Sequence, residues 1–284
     1  MAKQLVVDNL WVRYPTPARV IEAVRGVSFD LGREKLGIVG ESGSGKSTVG
    51  RAILRLVPPP GQVSAERLTF DGIDVLSADE ATLRDLRGER IAMVMQDPKY
   101  SLNPVMTVGQ QIREACRAHA RVSRAQAERR ALEALEAVRI RDPKRVYHCY
   151  PHEVSGGMGQ RVMIAMMLVG DPDILIADEP TSALDVTVQM QVLAILDDLV
   201  SERGLGLIFI SHDLNLVASF CDRVLIMYAG QVVETCAAGE LHRARHPYTR
   251  GLLAALPRIE GGSGPLPVLR RDAAWLEAPV AERS

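Results

Sequence analysis

Residues 35–47, KLGIVGESGSGKS, leave this 284-residue chain few folds to choose from. An apolar run of strand composition, KLGIVG (35–40), feeds a loop that fits G-x-x-x-x-G-K-[ST]. STVGRAILRLV (47–57) follows with helical spacing. The pattern alone arises by chance in about one chain in a hundred of this length. Strand before and helix after is the context that a phosphate-binding loop requires. Glycines let backbone N–H groups turn inward at a phosphate. The helix beginning near Lys46 adds the positive end of its dipole. Gly40, Glu41, Ser42, Gly43, Ser44 and Gly45 are the expected cradle. Lys46 is expected to reach the β- and γ-phosphates, Ser47 to ligate Mg²⁺ through its hydroxyl, and Thr48 to lie near the α-phosphate.

DILIADEP (173–180) supplies a second half. A buried apolar strand delivers Asp178 to a sheet edge, where a carboxylate can face the same metal ion, usually through water. Glu179 follows at once, and a carboxylate there can polarise water for in-line attack on the γ-phosphate. An apolar strand ending in two acids says little alone and much more beside a phosphate loop.

VSGGMGQR (154–161) is also glycine-rich, but it has no lysine and no apolar strand before it. It precedes VMIAMMLV, a helix-compatible run. Two readings stand side by side. Ser155 is a plain N-cap, or Ser155 and the amides of Gly156 and Gly157 grip a phosphate presented from outside.

Short apolar runs, IAMVMQ (91–96), DILIAD (173–178), LGLIFIS (205–211) and RVLIMY (223–228), alternate with helical patterns. That argues an α/β fold with a parallel sheet. The first thirty residues differ: QLVVDNLWVRYP and AVRGVSFDL alternate in part, as an antiparallel sheet with one covered face does. SRAQAERRALEALEAVRI (123–140) carries Ala, Leu and Val on one stripe, with Ser123 as candidate N-cap. The fold expected is a mixed core sheet with an N-terminal antiparallel β subdomain and an inserted α-helical subdomain at about residues 97–160. One domain spans 1–256, and a loosely ordered Gly/Pro-dense tail spans 257–284.

Taken in order, five blocks resemble the ATP-binding cassette (ABC) ATPases, over roughly residues 4–256. GESGSGKS resembles the Walker A loop, and MVMQD places Gln96 as the Q-loop glutamine. VSGGMGQR resembles the signature motif, ILIADEPTSALD the Walker B strand with the D-loop, and FISHD places His212 as the switch histidine. The resemblance implies ATP with Mg²⁺ and two ATPase domains packed head to tail, so that Ser155, Gly156 and Gly157 serve a partner's nucleotide. It implies that Tyr14 stacks on adenine, with an ordinary strand aromatic as the alternative reading of the residue alone. Gln96 would contact Mg²⁺ and the attacking water, Glu179 would be the general base, His212 would bond the γ-phosphate, and Asp185 would reach across the dimer.

The chain departs from the family pattern at Val154, usually leucine, and at Met158, usually glutamine. Gly159 is a further oddity, expected to soften the first helical turn. HPYTRGLLAALP (246–257) and QDPKYSLNPVMTVGQQI (96–112) resemble blocks of oligopeptide, dipeptide and nickel importer ATPases and are expected to face permeases. The tail lacks the four-cysteine cluster that many such relatives carry, so no iron–sulfur centre is expected. The expected partners are a second ATPase subunit, identical or paralogous, two transmembrane permeases and, indirectly, a solute-binding protein.

Composition trims the alternatives. A net charge of −1 gives no basic excess for a nucleic-acid binder. This and the absence of long coiled-coil or zinc insertions argue against an ABC ATPase acting on DNA or the ribosome. A small-molecule kinase would have no use for VSGGMGQR or SALD. Between an importer's motor and an exporter's, the HPYTRGLL block is this sequence's only discriminator, and it rests on the resemblance. Cys116, Cys149, Cys221 and Cys236 lack metal-ligand spacing and read as small buried hydrophobes of a reducing cytosol. The N-terminus shows no secretory signal, and no run reaches the ~18 apolar residues of a spanning helix. The expected location is peripheral, on the cytoplasmic face of the inner membrane.

Overall fold

The computed structural model describes residues 5–95, 101–119, 121–182, 184–255 and 275. In chain order the strands are β1 (Leu5–Pro15), β2 (Val20–Leu31), β3 (Lys35–Val39), β4 (Gln62–Ser64), β5 (Arg67–Phe70), β6 (Ile73–Asp74), β7 (Ile91–Val94), β8 (Ile174–Asp178), β9 (Gly206–Ser211), β10 (Arg223–Tyr228) and β11 (Gln231–Ala237). The helices are α1 (Lys46–Ile53), α2 (Glu80–Leu86), α3 (Val108–His119), α4 (Arg124–Ala137), α5 (Pro143–His148), α6 (Gly156–Leu168), α7 (Val186–Arg203), α8 (Leu214–Phe220) and α9 (Pro247–Ala255). The chain divides into two units, one of residues Met1–Leu76 with Phe209–Ser284, the other Ser77–Ile208.

The first unit holds the expected antiparallel sheet, in the order β2-β1-β5-β6 with β4 also on β1. Leu5, Val7, Leu10 and Val12 of β1 are buried. Their period of two slips between Val7 and Leu10, where the β1–β2 register shifts and Asn9 takes φ 50°. Asn9 is held there by Ser28 Oγ, which accepts its N–H, and by Glu66, which accepts from its side-chain amide. This irregularity is why the alternation reads as only partial. In the same unit β10 pairs antiparallel with β11 and parallel with β3, a mixed arrangement. Asp222 accepts the Lys35 N–H and fastens the start of β3. Helix α8 lies close over β3 at Gly37, where a Cβ would come within 2.3 Å of Val217.

The second unit pairs β7 and β8 in parallel, every residue of both buried, as a sheet covered on two faces demands. Arg90 and Asp173, 2.6 Å apart, close the entry to these strands. Helices α3, α4, α5 and α6 pack together, and Ala127, Ala131, Ala134 and Leu135 form the buried stripe of α4. Ser123 caps α4 as expected, and Gln126 completes a capping box with it.

Three boundaries differ from the sequence reading. Helix α1 stops at Ile53, well short of 57, because Arg55 turns to φ 49° and the Arg55 and Leu56 N–H groups close back on Ala52 and Arg51. Three prolines follow and forbid continuation. Strand β7 ends at Val94, before Gln96. Helix α6 already includes the glycines of GGMG, so that stretch is helix and not loop. The tail expected at 257–284 lies outside the described residues except for Trp275.

Candidate active site

Strand β3 ends at Val39, and the phosphate loop begins at Gly40. Gly40 is fully packed, and a Cβ there would stand 2.1 Å from the Met227 carbonyl oxygen. Gly43 and Gly45 have φ 81° and 99°, conformations costly for any side chain, and a Cβ on Gly45 would meet the Ala23 oxygen at 2.3 Å. Gly40 is thus required by space, Gly43 by dihedral and Gly45 by both. Backbone bonds close the turn: Ser44 N–H to Glu41 O, Gly230 N–H to Ser44 O, and Val49 N–H to Gly45 O. Lys46 opens α1 and is only 5% exposed. Its Nζ donates to the carbonyls of Gly40 and Glu41, each at 2.8 Å. The loop thus holds a desolvated ammonium at a helix N-terminus, the electrostatics a polyphosphate needs. The buried Ser44 hydroxyl has no hydrogen-bond partner within it. Ser47 and Thr48 are half-buried on the first turn.

In the same unit Tyr14 lies near the end of β1, half-buried, its ring against the Gly61 backbone. His212 follows β9 directly and is exposed. Its neighbours are fixed: Ser211 Oγ accepts the Asp213 N–H, and Asp213 caps α8 through Leu216.

In the second unit Asp178 ends β8 and is 4% exposed. Glu179 has φ 47°, a left-handed conformation for a non-glycine residue, and its carbonyl accepts from the N–H and hydroxyl of Ser182. Such a conformation costs on the order of 1–3 kcal/mol and persists where the surroundings dictate it. Nothing in the amino-acid pattern announces it. Asp185 caps α7 through the Val188 N–H. Ser155 caps α6 through the Met158 N–H, and Ser155 and Gly156 are both exposed. Gly157 is needed for space, since a Cβ there would stand 2.4 Å from Val188 Cγ1. Gly159 is buried inside α6. The two glycine-rich segments are therefore different objects, one a closed turn around a lysine and the other a helix start open to its surroundings. Gln96 lies outside the described residues.

One contact was not legible at all. Tyr248, in the block read as facing permeases, is fully buried, and its hydroxyl accepts the Glu41 N–H of the phosphate loop at 3.2 Å. The side chains of His246 and Thr249 in that block are buried too.

A strand, a glycine turn around a buried lysine and a helix make the first unit a nucleotide-binding P-loop module. Residues 24–182 match the ABC transporter family, and the chain belongs to it. It is 50% identical to a probable peptide ABC transporter ATP-binding protein of Sinorhizobium fredii, over 97% of this chain and 84% of that one. It is 47% identical to the oligopeptide transport ATP-binding protein OppD of Bacillus subtilis, over 92% and 74%. Among solved structures, an ATP-binding cassette dimer in a post-hydrolysis state bound to ADP and Pi superposes with a TM-score of 0.71 at 28% identity, covering 82% of this chain and 98% of that one. The chain is accordingly an ATP-binding cassette ATPase. No helix among the described residues is long and apolar enough to cross a membrane.

Proposed function

We propose that this chain is the motor subunit of a peptide importer and that the residues singled out above carry its ATPase cycle. The reading rests first on the buried Lys46, whose ammonium sits on two carbonyls of its own loop, ready to exchange them for phosphate oxygens. The cargo class rests on the two peptide-transport relatives, similar over more than nine-tenths of this chain.

In this reading the amides of Gly40–Thr48 wrap the phosphates, and Lys46 binds the β- and γ-phosphates. Tyr14 supports the base. Ser47 and Asp178 would hold Mg²⁺, with Gln96 as a further contact. Bound Mg²⁺ neutralises charge developing on the phosphate oxygens. Glu179 accepts a proton from the attacking water, and its constrained backbone keeps that carboxylate from wandering. His212 fixes the γ-phosphate. Ser155, Gly156 and Gly157 present a helix N-terminus to the nucleotide of a second ATPase subunit, and Asp185 contacts that subunit. Two transmembrane permeases and, indirectly, a solute-binding protein complete the machine, with this chain peripheral on the cytoplasmic face of the inner membrane.

Two substitutions test the assignment. Glu179→Gln keeps ATP affinity, abolishes turnover and accumulates an ATP-held dimer on size-exclusion chromatography. Lys46→Ala loses affinity itself, measured by titration with a fluorescent ATP analogue. Turnover by Glu179→Gln at the unmutated rate overturns the base assignment.

A further inference from the structure

The first peptide group of the phosphate loop is gripped from both ends. Its carbonyl, on Gly40, accepts from Lys46 Nζ at 2.8 Å. Its N–H, on Glu41, donates to the Tyr248 hydroxyl at 3.2 Å, across 207 residues of sequence. Tyr248 is 0% exposed. Its ring centroid lies 4.5 Å from that of Tyr228, at the end of β10, and 5.5 Å from that of Trp275. Trp275 in turn lies 5.5 Å from Tyr228, edge to face, so the three rings close a triangle.

A polar relay fixes the same group. His246 Nδ1 accepts the Tyr248 N–H at 3.2 Å, which leaves the proton on Nε2 to donate to the Trp275 carbonyl at 3.2 Å. Glu234, on β11, accepts the N–H groups of Arg245 and His246. Glu234 and His246 are 3% and 2% exposed. Burying a carboxylate and an imidazole is costly unless their bonds are made, so this arrangement resists small displacements.

We propose that Trp275, His246 and Tyr248 form a clamp that sets the geometry of the phosphate loop. Tyr248 is a positioning residue: fully buried, it acts on the loop through the Glu41 N–H. When Lys46 leaves the Gly40 carbonyl for a phosphate, one of the two grips on that peptide is released. The Tyr248 hydroxyl is the grip that remains, and it keeps the peptide plane from rotating while the lysine is engaged. The proposal rests on reading Gly40–Thr48 as the nucleotide loop.

The test uses the full chain and mant-ATP as the titrated probe. Tyr248→Phe keeps the ring and removes the acceptor, and it is expected to weaken binding about three- to tenfold, the worth of one buried hydrogen bond. Trp275→Ala is expected to do the same, with Trp275→Phe restoring most of the loss. The double variant should be no weaker than the worse single, because both act through one contact. A spectroscopic readout is independent of affinity. Trp11 and Trp275 are the chain's two tryptophans, so a Trp11→Phe background leaves Trp275 as sole emitter. Saturating ATP should then shift its emission, and Tyr248→Phe should abolish the shift. Binding by Tyr248→Phe within about twofold of wild type overturns the clamp, whatever its Tm. So do strictly additive losses, or Trp275 emission blind to ATP. If the unmutated chain fails to bind mant-ATP, the nucleotide reading itself falls. If it binds, Lys46→Ala does not, and Tyr248→Phe matches wild type, only the clamp falls.

Discussion

Single residues here answer to local space and solvation more than to their type. Gly40 and Gly45 sit where any Cβ would strike a carbonyl oxygen, so their identity is dictated by neighbours far along the chain, Met227 and Ala23. Glu179 is the converse, a residue kept in a left-handed conformation that glycine would adopt more easily. The cysteines behave as the sequence predicts, with one correction. All four are free, Cys116, Cys221 and Cys236 are buried, but Cys149 is half-buried beside the Arg145 carbonyl. Burial, aided by the Asp222 carboxylate, pushes the Cys221 thiol up to about 12. At pH 8 only about one such thiol in ten thousand is ionised, and the thiolate is the nucleophile. A thiol-disulfide reagent at pH 8 should therefore label Cys149 first, read by peptide mass mapping. Cys221 should stay unlabelled until the chain is unfolded. Fast labelling of Cys221 in the native chain would contradict its burial.

Among elements, helix starts are legible in part: the sequence reading names Ser123 and Ser155 as N-cap candidates, does not name Asp79, Asp142 or Asp213, and expects Asp185 at a dimer contact instead. Asp79, Ser123, Asp142, Ser155, Asp185 and Asp213 each accept an N–H of the helix they precede. A short oxygen-bearing side chain satisfies an orphan donor with local chemistry alone, so sequence suffices. What the pattern missed was why GGMG is glycine-rich. Flexibility is the obvious reading, and the structure gives close packing instead, with α6 running against Val188 of α7 at Gly157. Two effects oppose each other on Gly157→Ala. Helix propensity favours alanine by roughly 0.5–1 kcal/mol, while overpacking typically costs about 1–3 kcal/mol. At 2.4 Å from a branched side chain the clash wins, so thermal denaturation should show a lower Tm. In a Val188→Ala background the clash partner is gone, and the same substitution should be neutral or raise Tm. A Tm that rises in both backgrounds would show that α6 is not confined there.

For the molecule as a whole, the proposed function has the two glycine-rich segments serve different nucleotides. Ser155 and Gly156 are exposed at a helix start, whereas Lys46 is sealed inside its own loop. If the exposed start acts on a partner's nucleotide, a bulky cation at Ser155 should spare this chain's own affinity. Ser155→Arg should bind mant-ATP as wild type does, and with the ATPase partner present its steady-state phosphate release should fall at least tenfold. Loss of affinity in step with turnover would place Ser155 at this chain's own nucleotide. The amino-acid sequence by itself determined the strand–loop–helix order, the helix caps, the lysine and carboxylates, and the family to which they belong. These depend on residues near in sequence, whose chemistry is the same in any surroundings. Tertiary structure alone decided the left-handed turn at Glu179, the fit of Gly157 against α7, and the hydroxyl of Tyr248 on the Glu41 N–H. The last two are contacts between segments that meet only when the chain folds, which no spacing along the sequence encodes, and the first is a strained backbone conformation that the residue type does not favour.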